Sequence, residues 1–286
     1  MTNKLRKPEW IKVQLPIQEA YFNIKNLIKT HKLNTVCEEA ACPNRGECWS
    51  QGTATFMILG NICTRSCGFC NVITGKPTEL DLDEPIRVAR AAQTLNLKHL
   101  VITSVNRDEL ADGGASIWAN TIIEVRRLNP NAQIEVLIPD LKGNREALIT
   151  IFETYPDILN HNIETVPRLY SQVRPQANFE QSLQVLQLAK AHNLTTKSGI
   201  MLGLGEDTSE VIQVLEELRR NQVDLLTIGQ YLQPTPNHLP IIRYIHPDEF
   251  NNYRDIGLKL GFKNVFSGPL VRSSYHAFDQ ANVLPV

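Results

Sequence analysis

"ATFMILGNICTRSCGFCNV" (residues 54–72) carries the architecture in two halves. The first, "ATFMILG" (54–60), is a short apolar run ending in Gly and reads as a strand. The second puts Cys63, Cys67 and Cys70 in a C-x3-C-x2-C loop directly behind that strand. Downstream, strands are expected at 99–104, 133–138, 157–163, 195–203 and 223–232, separated by helices at 83–96, 115–128, 143–153, 178–193 and 207–222. In the helix at 83–96, Ile86, Ala89, Arg90 and Gln93 fall near helical spacing behind a leading pair of acids. Asn178 and Gln181, and again Asp207 and Glu210, have capping-box spacing. Leu183, Leu186 and Ala189 mark one buried helical face; Leu215, Leu218 and either Ile212 or Val211 mark the other. Six βα units in succession predict an α/β fold with a parallel sheet. A doubly wound sheet and a partial barrel both satisfy this alternation. In either, reactive groups gather at the C-terminal ends of strands. The cysteine loop, "SVNRDELADGGA" (104–115) and "GLGED" (203–207) all follow strands, so they are read as one site.

The flanks break the pattern. Residues 1–53 are irregular and rich in cysteine, and "QPTPNHLPIIRYIHPDEF" (233–250) is rich in Pro and His. Three parts result: an extension at 1–53, a core at 54–235 and a second extension at 236–286, with the extensions expected to act as lids on the sheet. The whole chain of 286 residues is long enough for a large core. Its 29 basic and 30 acidic residues give a net charge of -1, without the basic excess of a general nucleic-acid binder. No apolar run of membrane-spanning length and no secretory signal is legible, so a cytoplasmic protein is expected.

All six cysteines fall between residues 37 and 70. Disulfides staple distant parts of small secreted chains, whereas thiols crowded into one segment of a large chain suit metal in a reducing compartment. Three thiolates on one loop can hold three irons of a [4Fe–4S] cube and leave the fourth iron open to a small molecule. Three-Cys zinc sites usually add a His, and none lies between residues 32 and 98. Upstream, Cys37, Cys42 and Cys48 form a C-x4-C-x5-C set that also lacks a fourth thiol. It reads as spare thiols, a partial zinc site, or a second cluster with an unusual fourth ligand. Exposed thiolates oxidise, which favours the last.

The loop "CTRSCGFC" (63–70), with an aromatic residue before its last Cys, resembles the cluster motif of the radical S-adenosylmethionine (SAM) superfamily. With "CEEAACPNRGECW" (37–49), "TSVNRDELADGGA" (103–115), "HNIETVPRLY" (161–170), "KSGIMLGLGE" (197–206), "IGQYLQPTPNHLP" (228–240) and "GPLVRSSYHA" (268–277), the chain resembles the lipoyl synthase family over nearly its whole length. The resemblance implies a partial (β/α)6 barrel with N- and C-terminal extensions. It implies that Cys63, Cys67 and Cys70 hold the SAM cluster. It further implies that Cys37, Cys42 and Cys48 hold an auxiliary [4Fe–4S] cluster completed by a serine of "RSSY", mapped to Ser274 with Ser273 as the neighbouring choice. The implied reaction inserts two sulfurs at C6 and C8 of an octanoyl chain on a lysine of a lipoyl carrier domain. Such carriers are the E2 subunit of a 2-oxoacid dehydrogenase and the glycine cleavage H protein. An electron donor such as ferredoxin or flavodoxin is also implied.

Other candidates have two readings each. Asn106, Arg107 and Asp108 suit SAM contacts or a helix cap. Gly203 and Gly205 suit backbone approach to SAM or a tight turn. Glu164 suits a ribose or ammonium contact or a salt bridge. Arg174 and Arg272 suit bidentate carboxylate pairing, and Arg272 equally a structural tie. His238, His246 and His276 read as hydrogen-bonding structural residues. Lys4, Arg6, Lys7 and Lys12 form a small basic arm, either a solvated tail or a contact for an acidic carrier. Competing functions are a biotin-synthase-like sulfurtransferase, a methylthiotransferase, and a non-enzymatic zinc scaffold or Fe–S carrier.

Overall fold

The computed structural model describes residues 6–12, 19–50 and 53–281; Lys4 of the basic arm lies outside them. The N-terminal part holds α1 (Glu19–Thr30), β1 (Asn34–Thr35), α2 (Val36–Glu39) and α3 (Arg45–Ser50). Then come β2 (Thr55–Ile58) and, within the cysteine loop, the paired short strands β3 (Ile62–Cys63) and β4 (Ile73–Thr74). The alternation follows: α4 (Glu84–Thr94), β5 (His99–Ser104), α5 (Ala115–Leu128), β6 (Gln133–Leu137), α6 (Arg145–Phe152) and β7 (Ile158–Asn160). It continues with α7 (Tyr170–Val173), α8 (Phe179–Ala191), β8 (Thr196–Leu202), α9 (Thr208–Arg220) and β9 (Leu225–Gln230). The last elements are α10 (Pro247–Leu260), β10 (Asn264–Gly268) and α11 (Ala277–Ala281).

The six expected strands stand side by side, all parallel, in the order β2-β5-β6-β7-β8-β9. Two additions extend the sheet. The N-terminal part adds β1, antiparallel to β2, and the C-terminal part adds β10, parallel to β9. The sheet is open, with β1 and β10 as its edges. The C-terminal part is therefore more than a lid: α10 and β10 make a further unit of the sheet. Their sequence hid them, because α10 is capped by His246 ahead of Pro247 and β10 mixes Asn, Ser and Gly with two apolar residues.

The helices form where expected, but one face is corrected. α4 buries Val88, Ala89, Ala91 and Ala92, while Arg90 and Gln93 are exposed. Small alanines let α4 lie close to the sheet, and a count of large apolar positions overlooks them. α9 buries Val211, Val214, Leu215 and Leu218 and carries the full Asp207–Glu210 capping box. At α8 the Asn178 side chain accepts from the Gln181 amide, which is one half of such a box.

Strand residues alternate between two environments, as the period of two requires. One set meets the helices and is apolar: Ile102, Val136, Leu159, Ile200 and Ile228 are all buried. The opposite set faces the hollow of the curved sheet. Ile158 and Leu225 form a small apolar floor there. Above it lie His99, Glu135, Asn160 and Lys197, all buried. Above these the hollow opens into a cavity of about 460 Å³, bordered by Thr55, Val101, Leu137, Gly199, Met201 and Gly229. The sheet thus delivers its polar residues to one interior.

Candidate active site

The loop of Cys63, Cys67 and Cys70 is pinned on three sides. The Thr64 amide and hydroxyl both donate to the Asn106 carbonyl at 3.0 Å, and Thr64 Oγ1 accepts from the Asp108 amide. The Gly68 amide donates to the Val173 carbonyl, and the Gly68 carbonyl accepts from the Leu239 amide. Arg65, 4 % exposed, grips Asp108 at 2.7 and 3.0 Å and Asp140 at 2.7 and 2.9 Å. Burial alone would raise the Asp140 carboxyl, but Arg65's hydrogen bonds and charge pull it down to about 2. His238 completes the anchorage. A carbonyl can only accept, so Nε2 of His238 donates to the Cys70 carbonyl at 3.0 Å, and Nδ1 accepts the Thr235 hydroxyl.

Cys63 Sγ accepts from the Asn106 amide at 3.3 Å, the Arg65 amide at 3.5 Å and Asn106 Nδ2 at 3.8 Å. Burial pushes Cys67 up to about 11 and Cys70 up to about 12. Iron binding to this loop must therefore be coupled to proton release.

The second triplet sits across the cavity. Cys37 lies on α2, Cys42 in the following turn and Cys48 on α3, and all three border the same cavity as Cys70. Burial and then neighbouring Cys42 raise Cys37 to about 11; burial and then Cys37 raise Cys48 to about 12. Opposite them runs the C-terminal segment. Asn44 Nδ2 donates to the Leu270 carbonyl at 2.6 Å, the Tyr275 hydroxyl reaches both Glu47 oxygens at 3.0 and 3.2 Å, and His276 Nε2 lies 3.1 Å from Glu47. The segment crosses β9 at Gly229, where any Cβ would strike the Val271 carbonyl. Ser273 and Ser274 are thereby brought to the cavity wall. Their side chains differ: Ser273 Oγ accepts from Asn162 Nδ2 at 2.7 Å, while Ser274 Oγ makes no hydrogen bond among the described residues.

The donors fit clusters better than a single ion. Among the described residues no three Cys, His, Asp or Glu side chains converge as one metal ion demands. A cube asks for thiols spread so that each meets a different iron, and both triplets are free, soft-donor thiols, Cys37 buried and the other five half-buried.

The remaining candidates divide. Glu164 borders the cavity, with burial raising its carboxyl against the pull of Arg174, Asn162 and Arg272. Its backbone sits at φ +68, a left-handed conformation held by a bridge to Ile200. Arg272 borders the cavity too; burial lowers its guanidinium, while Cys42 and Glu164 oppose that. Asn106 lies behind Cys63. Arg174 stands behind the cavity, donating to the Asn162 carbonyl at 3.0 Å. Arg107 and Asp108 do not border it, because Arg107 is tied to Glu109, Leu59 and Glu79 and Asp108 to Arg65. Gly203 and Gly205 do not border it either. They form a tight turn at φ +101 and +108, whose amides at Gly203 and Leu204 donate to Glu206. Sequence reasoning passed over Asn162, Lys197, Glu135 and His99. His99 follows the cysteines by almost thirty positions yet borders their cavity, because β5 neighbours β2. Lys197, a charged residue near the start of β8 and ahead of its apolar half, was the visible signal.

Comparisons with known proteins agree with this layout. A model of the radical SAM superfamily matches residues 57–218, and one of the N-terminal domain of lipoyl synthase matches residues 1–42. Lipoyl synthase of Rubrobacter xylanophilus is 58% identical, over 96% of this chain and 86% of that protein. Mitochondrial lipoyl synthase of Nematostella vectensis is 56% identical, over 95% of this chain and 94% of that protein. Among solved structures, methylornithine synthase (PylB) covers 87% of this chain and 82% of its own at TM-score 0.57 and 14% identity. The hydrogenase maturase HydG of Carboxydothermus hydrogenoformans covers 81% of this chain and 56% of its own at TM-score 0.58 and 17% identity, a likeness of fold. Full-length identity at this level, with a matching superfamily core and a matching N-terminal domain, makes this chain a member of the lipoyl synthase family within the radical SAM superfamily.

Proposed function

We propose that this chain replaces two C–H bonds, at C6 and C8 of an octanoyl group amide-linked to a carrier lysine, with two C–S bonds. The single observation that supports it is the shared cavity: Cys70 borders it from one side and Cys37, Cys42, Cys48 and Ser274 from the other. Cys63, Cys67 and Cys70 would hold the cluster that binds SAM; Cys37, Cys42, Cys48 and Ser274 would hold the auxiliary [4Fe–4S] cluster. When bound, these groups supply the electron, the 5′-deoxyadenosyl radical and the sulfur. Unactivated C–H bonds give acid–base chemistry little grip, so the cofactors carry the hard step and the protein orients and encloses. Val101, Leu137 and Met201 offer apolar walls that exclude water and donate no labile hydrogen. Glu164 and Arg272 give the cavity one acidic and one basic group for a zwitterionic co-substrate. Ser274, free where Ser273 is occupied, is the better ligand of the two.

The partners follow from the same reading: octanoylated lipoyl domains of a 2-oxoacid dehydrogenase E2 or the glycine cleavage H protein, and a ferredoxin or flavodoxin as donor. Six free thiols suit a reducing cytoplasm, and no helix among the described residues is long and apolar enough to cross a membrane. Functionally the chain divides at 1–53, 54–235 and 236–286, the outer parts supplying the auxiliary ligands. The test is intact mass. Reconstituted anaerobic protein receives SAM, reductant and an octanoylated lipoyl domain. A gain of two sulfurs for two hydrogens, with 5′-deoxyadenosine released, is the expected result. Deoxyadenosine without a mass change moves the substrate elsewhere; neither product, from protein carrying both clusters, overturns the reading.

A further inference from the structure

The buried layer beneath the cavity has no part in the reading so far. Lys197 and Glu135 are both wholly buried, with Nζ 2.8 Å from Glu135 Oε1. Asn160 Nδ2 donates to that same oxygen at 3.1 Å, and His99 Nε2 lies 3.4 Å from Oε2. Burial pushes the Glu135 carboxyl up, but Lys197 and then His99 outweigh it and hold the group down at about 2. A buried ion pair is costly to form, and well-packed apolar residues of similar volume often serve a fold as well or better. The floor one level below is built that way, from Ile158 and Leu225. The pair therefore calls for a reason beyond packing.

Its geometry supplies one. Lys197 Nζ makes a further bond, 2.7 Å to the backbone carbonyl of Ser273, across 76 residues of chain. That carbonyl belongs to the peptide linking Ser273 to Ser274. Around it the segment has one more inward tie, from Asn162 Nδ2 to Ser273 Oγ at 2.7 Å. Asn162 and Lys197 both come from the hollow side of the sheet, whereas Asn44 and Glu47 hold the segment from the N-terminal part. A lysine on a flexible stem would wander without a partner; Glu135 fixes its direction, and Asn160 fixes Glu135.

We propose that Lys197, aimed by Glu135, is a positioning residue that sets the Ser273–Ser274 peptide and thereby presents the Ser274 hydroxyl to Cys37, Cys42 and Cys48. The proposal rests on the reading of Ser274 as a ligand. It is not a claim that Lys197 touches substrate. The carbonyl bond fixes peptide orientation, and one residue on, that orientation decides whether Oγ faces the thiols or the solvent.

The experiment compares Lys197→Met, the double variant Lys197→Met/Glu135→Met and Ser274→Ala in the full chain, each reconstituted anaerobically. Iron per chain, the electron paramagnetic resonance spectrum of the reduced auxiliary cluster and the thermal melt are read together. Lys197→Met leaves Glu135 charged with only Asn160 and His99 beside it, so its melt falls. The double variant removes that stranded charge, and its melt recovers. If Lys197 positions Ser274, the double variant keeps a wild-type melt but gives the altered auxiliary signal of Ser274→Ala, with the SAM cluster and deoxyadenosine formation intact. Lys197→Arg, which keeps a charged donor, restores part of that signal. A double variant with wild-type melt and wild-type auxiliary signal overturns the proposal and leaves the pair a feature of folding. A Ser274→Ala spectrum equal to wild type overturns the reading of Ser274 itself, whatever Lys197 does.

Discussion

The two cysteine triplets meet at one cavity, bordered by Cys70 of the first and all three of the second, and they are built in opposite ways. Cys63, Cys67 and Cys70 lie on one loop of the barrel, behind β2, and the residues that hold the loop come from the ends of other strands. Cys63 Sγ alone receives three N–H contacts. Cys37 and Cys48 lie on helices of four and six residues with Cys42 in the turn between, and their wall is closed by the opposite end of the chain through Asn44, Glu47 and Tyr275. One triplet belongs to the fold; the other belongs to a contact between two ends. On the proposed reading, the SAM cluster would suit the first kind of site, and an auxiliary cluster taken apart in use would be served by the second. A short helix and a chain end open more readily than a loop tied to a sheet.

The largest effects come from breaking either triplet. Cys63→Ala, Cys67→Ala or Cys70→Ala should abolish deoxyadenosine formation altogether. Cys37→Ala, Cys42→Ala or Cys48→Ala should leave deoxyadenosine formation running while the lipoyl domain gains no sulfur. Each set should lower iron from about eight to about four per chain. If the second set also stops deoxyadenosine, the triplets are not separable and the comparison fails. Ser274→Cys sharpens it further. A thiolate is a softer ligand than a serine oxygen, so the cluster should load fully and yield its sulfur poorly. Mass spectrometry should then show domains stalled at one sulfur; full turnover would remove serine's role as the weak corner.

Next in size is the buried grip of Arg65 on Asp140, whose side chains are 3% and 0% exposed. Removing the Asp140 charge leaves Arg65 buried with Asp108 as its remaining carboxylate, so the cost should fall below the ~3–5 kcal/mol of a wholly unmatched buried charge. Asp140→Asn should lower the melt accordingly and reduce loading of the SAM cluster more than the auxiliary one, as iron count and spectra would report. The exposed Arg127–Glu124 pair is the control, and Arg127→Ala should leave the melt in place. Equal loss from both clusters would mean that the Arg65 network supports the fold at large.

What the sequence disclosed follows the same division. The barrel side was legible because it is periodic. Strands such as "HLVITS" are buried on both faces, and the capping pair Asp207 and Glu210 marks its helix locally. The cysteine spacings were legible because short range is where sequence speaks. Convergence was not legible from the residues alone. Cys42 and Ser274 stand more than two hundred positions apart, and only the resemblance to a family joined them. The loop residues Arg107 and Asp108 read equally as SAM contacts or as a helix cap, and the sequence does not show that their side chains bond to Leu59 and Arg65. The polar inner stripe was also hidden. His99, Glu135, Asn160 and Lys197 come one from each of four strands, and only the register assembles them.

The smallest predicted effect tests the barrel side through pH. His161, at the end of β7, is 1% exposed, and its Nδ1 donates to the Ile138 carbonyl at 2.8 Å. Burial, then the charge of Arg174, lowers its imidazole from 6.5 to about 4. A depressed basic group is neutral in the fold and binds its proton more readily in the unfolded chain. Its contribution is therefore complete above 6.5 and is lost as pH falls from 6.5 through about 4, up to about 3 kcal/mol in all. The carboxyls of Asp140 and Glu135 act lower, losing theirs from 3.8 and 4.5 down to about 2, so above pH 4.5 only the His161 window is open of the three. His161→Gln keeps a donor for the Ile138 carbonyl and removes the titration. Between pH 6.5 and 5 the wild-type melt should fall more steeply than the variant's, the difference approaching about 1.4 kcal/mol per pH unit. Parallel slopes would show that His161 protonates without unfolding cost. The hollow behind the cavity would then be open to water, and the rigid half of the comparison would be less rigid than its hydrogen bonds imply.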